Sequence, residues 1–236
     1  MSLGPWDRQA QERLKSSRVF LTSAAGAAGV AAHQLLAAGL GALRLVDASR
    51  IILGDLSQQT LFRERDLGKA KAAVAEVLLS EVNPFSRVEC LAKSLSEANV
   101  WRLTAGCHLL AATDARSAQL LHLPAVRHRL PLVCAFTGST EVRVTTLWPG
   151  QGPCLACVAP DRLGPTSLSA APPALAPVAA LAGGLMALEA LRLLGGAGPA
   201  LLGRLLIFRV RDCHFSQESL PRRSLCPLCR NIPPPG

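Results

Sequence analysis

Apolar residues along this chain come in short runs broken by polar turns, and their spacing switches between strand-like and helix-like periods. Residues 7–17 read as a short polar helix. RVFLT at 18–22 predicts a short strand, 23–29 a small-residue turn, 30–38 an apolar helix, and 42–46 a second strand ending at Asp47. Strand, small turn, helix, strand and acid in that order open a βαβ dinucleotide-type unit. Residues 49–67 are irregular and polar. A helix with an Ala/Val/Leu face is predicted over 68–82, and Asn83-Pro84 stops it. Strand 87–92, short helix 95–103, buried strand 107–112 ending in Thr113-Asp114, helix 116–129 and buried strand 132–136 follow.

The pattern then changes. Residues 140–148 alternate, with Val142, Val144 and Thr146 on one face and Arg143 and Thr145 on the other, as in an antiparallel strand. Residues 149–153 turn into a cysteine pair. Residues 162–177 are rich in Pro, Ser and Ala, which predicts a mobile loop. An apolar helix over 177–194 precedes a strand over 204–210, and the tail ends in a second cysteine pair and a Pro-rich terminus. The expected fold class is α/β: a Rossmann-like, mostly parallel sheet with helices on both faces, extended by antiparallel strands and a structural zinc site. The chain is expected to be a single domain over 1–236, with a nucleotide-binding half (1–148) and a zinc-clamped half (149–236) holding a crossover loop at 160–177.

Composition narrows this reading. Half of the 236 residues are apolar, enough for a large core, and with aromatics at 4% and no Tyr that core must be aliphatic. The net charge of +9 fits an acidic protein or nucleotide partner, or only a solvated basic surface. No run of five Lys/Arg residues occurs, and no aromatics interleave with the basic ones, so nucleic acid is not an expected partner. The 177–194 segment approaches membrane-spanning length, but Glu189 and Arg192 fall inside it and Gly183-Gly184 interrupts it. No membrane partner is therefore expected, and the segment reads as a buried helix. Residues 1–15 are polar and lack an apolar signal core, so the expected location is cytoplasmic. There, eight cysteines read as metal ligands and buried thiols rather than disulfides.

The strongest chemical signal is Cys154-x-x-Cys157 with Cys226-Pro-Leu-Cys229. Each pair can bind one metal from a tight turn, and four thiolates close a tetrahedral site that favours zinc and leaves no position for water. Two free or redox pairs are the alternative. Cys90, Cys107, Cys134 and Cys213 lie in or beside strands and read as buried thiols. Ser23-Ala-Ala-Gly26-Ala-Ala-Gly29 stands where a phosphate-binding turn would, or is a tight turn packing helix on strand. Asp47 is placed to bind ribose hydroxyls, Asp114 to hold Mg²⁺, and Lys71 to reach phosphate oxygens; each is also a surface or capping residue by type.

These residues, in this order, resemble the ThiF/MoeB/HesA family of ubiquitin-activating-type adenylyltransferases from about Ala10 to Arg230. Ala37-Ala-Gly-Leu-Gly41 followed by Leu45-Val-Asp47 is similar to the family's AAGVG…IVD. Asp66-Leu-Gly-Lys-Ala-Lys71 is similar to DVGRPK, Thr113-Asp114 to TD, and Gly152-Pro-Cys-Leu-Ala-Cys157 to GPCYRC. Gly203-Arg-Leu-Leu-Ile-Phe208 resembles GRLLLFD, and Cys226-Pro-Leu-Cys229 the closing CPxC.

The resemblance implies ATP- and Mg²⁺-dependent adenylation of the C-terminal glycine of a ubiquitin-like or sulfur-carrier protein, as in molybdopterin or thiamin synthesis. It implies roles for Asp47 on ribose, Lys71 on phosphates, Asp114 on Mg²⁺ and Gln59 in the same pocket. It also implies a homodimer, or a heterodimer with a related subunit, with Arg8 as candidate arginine finger. The departures are specific. The Gly-x-Gly-Gly-x-Gly turn keeps Gly26 alone of four glycines. In SNLxRQ an asparagine has become Asp55 and a phosphate-binding arginine Gln58, a cation lost and an anion gained. Ala115 and Gln119 replace an asparagine and an arginine after Asp114, and Ser169 stands near the place of a crossover-loop cysteine. The second expectation is therefore an adenylyltransferase-like subunit without catalysis, a binding partner or scaffold for an active enzyme or carrier protein.

Overall fold

The computed structural model describes residues 7–58, 61–158 and 175–232. Helix α1 (Arg8–Ser16) is capped by Asp7, whose carboxylate accepts the Ala10 N–H at 2.7 Å. There follow β1 (Arg18–Thr22), α2 (Gly26–Ala37), β2 (Ala42–Val46), α3 (Lys71–Val82), β3 (Arg87–Leu91), a short α4 (Val100–Thr104) and β4 (Leu109–Ala112). Then come α5 (Ala115–His128), β5 (Leu132–Thr137), β6 (Glu141–Leu147), α6 (Ala176–Gly195), β7 (Arg204–Arg209) and β8 (His214–Ser219). The strands form one eight-stranded sheet in the order β3-β2-β1-β4-β5-β6-β7-β8. From β3 to β5 the pairing is parallel, and from β5 to β8 it is antiparallel.

Alternation along the central strands sends side chains to two separate cores. Val19 and Leu21 of β1, Leu109 and Ala111 of β4, and Val133 and Ala135 of β5 pack with α1, α2, α3 and α6. Phe20, Leu110, Ala112 and Cys134, their neighbours in sequence, pack with α4 and α5 on the other face. A strand buried on both faces reads as a continuous apolar run, which is why these strands are visible in the sequence.

Helix α6 lies against α2 at close range. A Cβ on Gly183 would stand 2.5 Å from the Ala27 carbonyl oxygen and 2.7 Å from Val30 Cβ. Helix α6 is the single helix among the described residues that is long and apolar enough to cross a membrane, and slightly more than half (56%) of its apolar 18-residue stretch is buried inside the fold. Its acid, Glu189, is only 3% exposed and accepts from Thr146 Oγ1 of β6 (2.9 Å) and from the N–H groups of Ala200 (3.0 Å) and Leu201 (3.1 Å). The charge that argues against a membrane span thus ties the helix to the sheet.

Several sequence expectations are corrected. Helix α2 begins at Gly26, inside the expected turn, because small residues continue a helix as readily as a loop. The helix expected over 95–103 is reduced to α4, and that over 68–82 starts at Lys71. Strand β8 was not anticipated: it is a polar, exposed edge strand with no apolar alternation to announce it. Cys213 is exposed in the β7–β8 turn with φ +51, not buried. Cys90, Cys107 and Cys134 are buried as expected, and burial pushes the Cys90 thiol up to about 12 and the Cys107 thiol up to about 11. Of the expected crossover loop at 160–177, residues 160–174 lie outside the described residues, and Ala176 and Pro177 open α6.

Candidate functional site

In the parallel part of the sheet the strand order reverses between β1 and β4, and in such sheets ligands bind beyond the carboxyl ends of the strands at the reversal. A cleft of about 410 Å³ opens there, lined among others by Ser23, Gly26, Asp47, Asp55, Gln58, Lys71, Lys93, Asp114 and Arg116. A larger groove of about 540 Å³ lies beside α2, lined among others by Val30, His33, Leu78 and Val82, and carries none of these strand-end groups.

The floor of the cleft is the β1–α2 turn. Ser23 adopts φ +74 and Gly26 φ +55, left-handed conformations that favour glycine; at Gly26 no atom stands within 4 Å of where a Cβ would be. Gly29, one turn on, serves packing, since a Cβ there would lie 2.7 Å from the Ala24 carbonyl oxygen. Ala25 precedes α2 and supplies no side-chain cap, so the first N–H groups of the helix are left for an outside acceptor, an arrangement suited to an anion.

Asp47, just past β2, holds this turn. Its Oδ2 accepts from the Ala24 N–H (2.9 Å) and Ser23 Oγ (3.3 Å), and its Oδ1 from the Ser49 N–H (2.9 Å) and Oγ (2.5 Å). Asp114, just past β4, caps α5: its Oδ1 accepts the Ser117 N–H at 2.8 Å and its Oδ2 the Ser117 hydroxyl at 2.5 Å. Lys71 is the first residue of α3, and its ammonium donates to Asp55 Oδ1 at 2.6 Å. That pair is nearly enclosed, with side-chain exposures of 11% and 9%. Gln58 turns back, donating from Nε2 to the Gly54 carbonyl at 2.9 Å.

Asp47, Lys71, Asp114 and Gly26 therefore meet in one cleft. Gln59 lies outside the described residues. Arg8 is exposed at the start of α1 and does not line the cleft of its own chain. Lys93 and Arg116 also face the cleft, are exposed, and form no ion pair among the described residues. They were not singled out from the sequence, although each sits just beyond the carboxyl end of a parallel strand, the position that marked Asp47 and Asp114.

The four cysteines converge at the other end of the molecule. Their Sγ atoms all lie within 4.8 Å of one another, with contacts of 3.9 Å (Cys154–Cys157), 3.7 Å (Cys154–Cys226) and 3.5 Å (Cys157–Cys229). A tetrahedron with metal–sulfur bonds of about 2.3 Å has edges of about 3.8 Å, so the cluster has the dimensions of a four-thiolate zinc site. All four are buried, with Val126, Ala156 and Ile232 packed around them. The Arg223 N–H donates to Cys157 Sγ at 3.5 Å, and Arg222 binds the Arg230 (3.2 Å) and Ile232 (3.1 Å) carbonyls. At Cys226 burial raises the thiol, but the N–H groups of Leu228 and Cys229 together with hydrogen bonds from the Cys157 and Cys229 thiols draw it down to about 7.

Comparison with known proteins places these features in a lineage. The model of the ThiF family matches residues 1–228. Protein HesA of Nostoc sp. is 34% identical over 241 residues, which span 99% of this chain and 93% of that protein. The sulfur carrier protein adenylyltransferase of Thermus thermophilus is 31% identical over 234 residues, covering 95% of this chain and 86% of its own. Among solved structures, E. coli MccB with ATP has a TM-score of 0.82 at 20% identity, over 94% of this chain and 69% of MccB, a likeness of fold.

Proposed function

This chain belongs to the ThiF family, and on that premise we propose that its cleft uses Mg·ATP to adenylate the C-terminal carboxylate of a ubiquitin-like protein, sulfur carrier or peptide. The observation that carries the reading is the meeting of Asp47, Lys71, Asp114 and the uncapped start of α2 in one strand-end cleft. The known activity of relatives such as the Thermus adenylyltransferase supports it. In this reading a substrate carboxylate oxygen attacks the α-phosphorus, the bond to the β-bridging oxygen breaks, and pyrophosphate leaves with the electron pair. The chain's contribution is positioning and charge. Asp47 would take ribose hydroxyls in place of the Ser23 and Ser49 hydroxyls it now accepts, the first turn of α2 donates N–H groups to phosphate oxygens, and Arg116 and Lys93 supply positive charge, joined by Lys71 where it leaves Asp55.

Asp114 fits a Mg²⁺ ligand: it is a hard oxygen donor, and each of its oxygens accepts one described hydrogen bond and keeps a lone pair. Bound there, Mg²⁺ would neutralise developing charge on the phosphates. The cysteine cluster would hold zinc, tying the tail at Cys226 and Cys229 to the segment after β6. Arg8 lies away from its own cleft, so an arginine finger at that position would act on a second subunit of a homodimer or heterodimer.

A second reading rests on one observation, the enclosed Lys71–Asp55 pair, which removes a cation from the cleft. It makes the chain an adenylyltransferase-like scaffold. ATP–pyrophosphate exchange with candidate carrier proteins separates the two readings. Exchange that Asp114→Ala abolishes is expected for the first; no exchange and no ATP binding at high Mg·ATP overturns it and leaves the second.

A further inference from the structure

We propose that Asp55 is a resident anion in the phosphate subsite, one that occupies Lys71 and tilts the cleft away from nucleoside triphosphates toward less charged adenine ligands such as a nucleoside monophosphate or an adenylate. This rests on the nucleotide-site reading above. The ion pair is short, at 2.6 Å, the backbone is fixed at both partners, and the carboxylate of Asp55 is held by its second oxygen as well. The Lys71 N–H donates to the Ser49 carbonyl at 3.0 Å, which fixes the start of α3. The second carboxylate oxygen of Asp55 accepts the Ile52 N–H at 2.8 Å, and the Asp55 N–H donates to the Ile52 carbonyl at 3.0 Å. Neither side chain is free to swing out without giving up a contact shielded from water, where charge interactions are strong.

An incoming phosphate chain therefore meets Lys93 and Arg116 unpaired but finds Lys71 neutralised. Where Lys71 is to be used, the phosphates must displace a carboxylate or lie beside it. The loss of attraction caused by pairing Lys71 with Asp55 scales with the charge of the ligand. It falls hardest on ATP, less on AMP, and not at all on adenosine, which carries no phosphate.

Asn at position 55 keeps an oxygen for the Ile52 N–H while removing the charge that faces Lys71. Calorimetric titration of adenosine, AMP and ATP without Mg²⁺, so that ATP keeps its full charge, and at fixed ionic strength tests the proposal on four proteins: wild type, Asp55→Asn, Lys71→Met and the double variant. Asp55→Asn is expected to tighten ATP about ten- to a hundredfold, the low end of the coupling measured for close charge pairs at an interface. AMP should gain less and adenosine nothing. Lys71→Met, which leaves Asp55 as a bare anion, should weaken ATP. The double variant replaces a neutralised pair by a neutral one and should return ATP affinity to near the wild-type value. That comparison stands even if Asp55→Asn alone folds poorly, since a buried pair is replaced whole at little cost.

If the Asp55→Asn protein binds adenosine but ATP no better than wild type does, or gains equally for all three ligands, the role of Asp55 is overturned while the nucleotide site stands. The role falls likewise if the double variant departs from wild type for ATP as far as Lys71→Met does. If none of the four proteins binds any of the ligands, the nucleotide site itself is overturned, and the proposal with it.

Discussion

Removing the Glu189 carboxylate should unlock α6 from the sheet. In Glu189→Ala, three donors lose their acceptor: the Thr146 hydroxyl and the N–H groups of Ala200 and Leu201. The threonine hydroxyl can rotate toward another acceptor. The two backbone N–H groups cannot, and the one at Leu201 belongs to a residue only 6% exposed. A buried donor left without a partner costs about 1–3 kcal/mol, which applies to Leu201, whereas Ala200 is exposed and its N–H can turn to water; with the lost charged contacts the total comes to about 2–4 kcal/mol. Relief of carboxylate desolvation offsets part of this but does not repair the orphaned donor. For a domain of this size each kcal/mol lowers the midpoint by about 2–4 °C, so a drop on the order of 10 °C is expected. Urea and thermal unfolding of wild type, Glu189→Ala and Glu189→Gln measure it. Glutamine keeps one carbonyl oxygen and should lose about half as much or less. A Glu189→Ala protein within about 1 kcal/mol of wild type, the typical effect of an arbitrary substitution, would refute the view that this carboxylate anchors the helix.

Neighbouring glycines in α6 should answer alanine with opposite signs. Gly183→Ala forces a methyl against the Ala27 carbonyl oxygen and should cost about 1–3 kcal/mol in urea unfolding. Gly184→Ala, whose nearest contact would be Gln34 Oε1 at 3.7 Å, should be neutral or stabilise by up to about 1 kcal/mol; equal effects at both positions would show that the close approach of α2 and α6 is not what the glycine serves. Metal analysis of purified protein should find about one zinc per chain, and Cys226→Ser should lose it together with thermal stability. A Cys226→Ser protein that keeps both its metal and its midpoint counts against the four-thiolate site.

The sequence by itself determined whatever depends on local periodicity or fixed spacing. Strands β1, β4 and β5 are buried on both faces and so write uninterrupted apolar runs into the chain. The helix break at Asn83, the alternation of β6 and the two Cys-x-x-Cys turns are likewise local, and the acids after β2 and β4 mark strand ends wherever the chain goes next. Tertiary structure alone decided the rest, because the deciding partners are far apart in sequence or silent in pattern. β8 is a strand only because β7 offers it an edge, and α2 starts at Gly26 through the turn held by Asp47. Asp55 and Lys71 are separated by a polar stretch that reads as unstructured, yet they close a 2.6 Å ion pair inside the cleft, so that a lysine expected to await phosphate already holds an anion. Glu189 shows the same division: its charge within an apolar helix is plain in the sequence, but the Thr146, Ala200 and Leu201 donors that make the burial tolerable come together only when the chain folds.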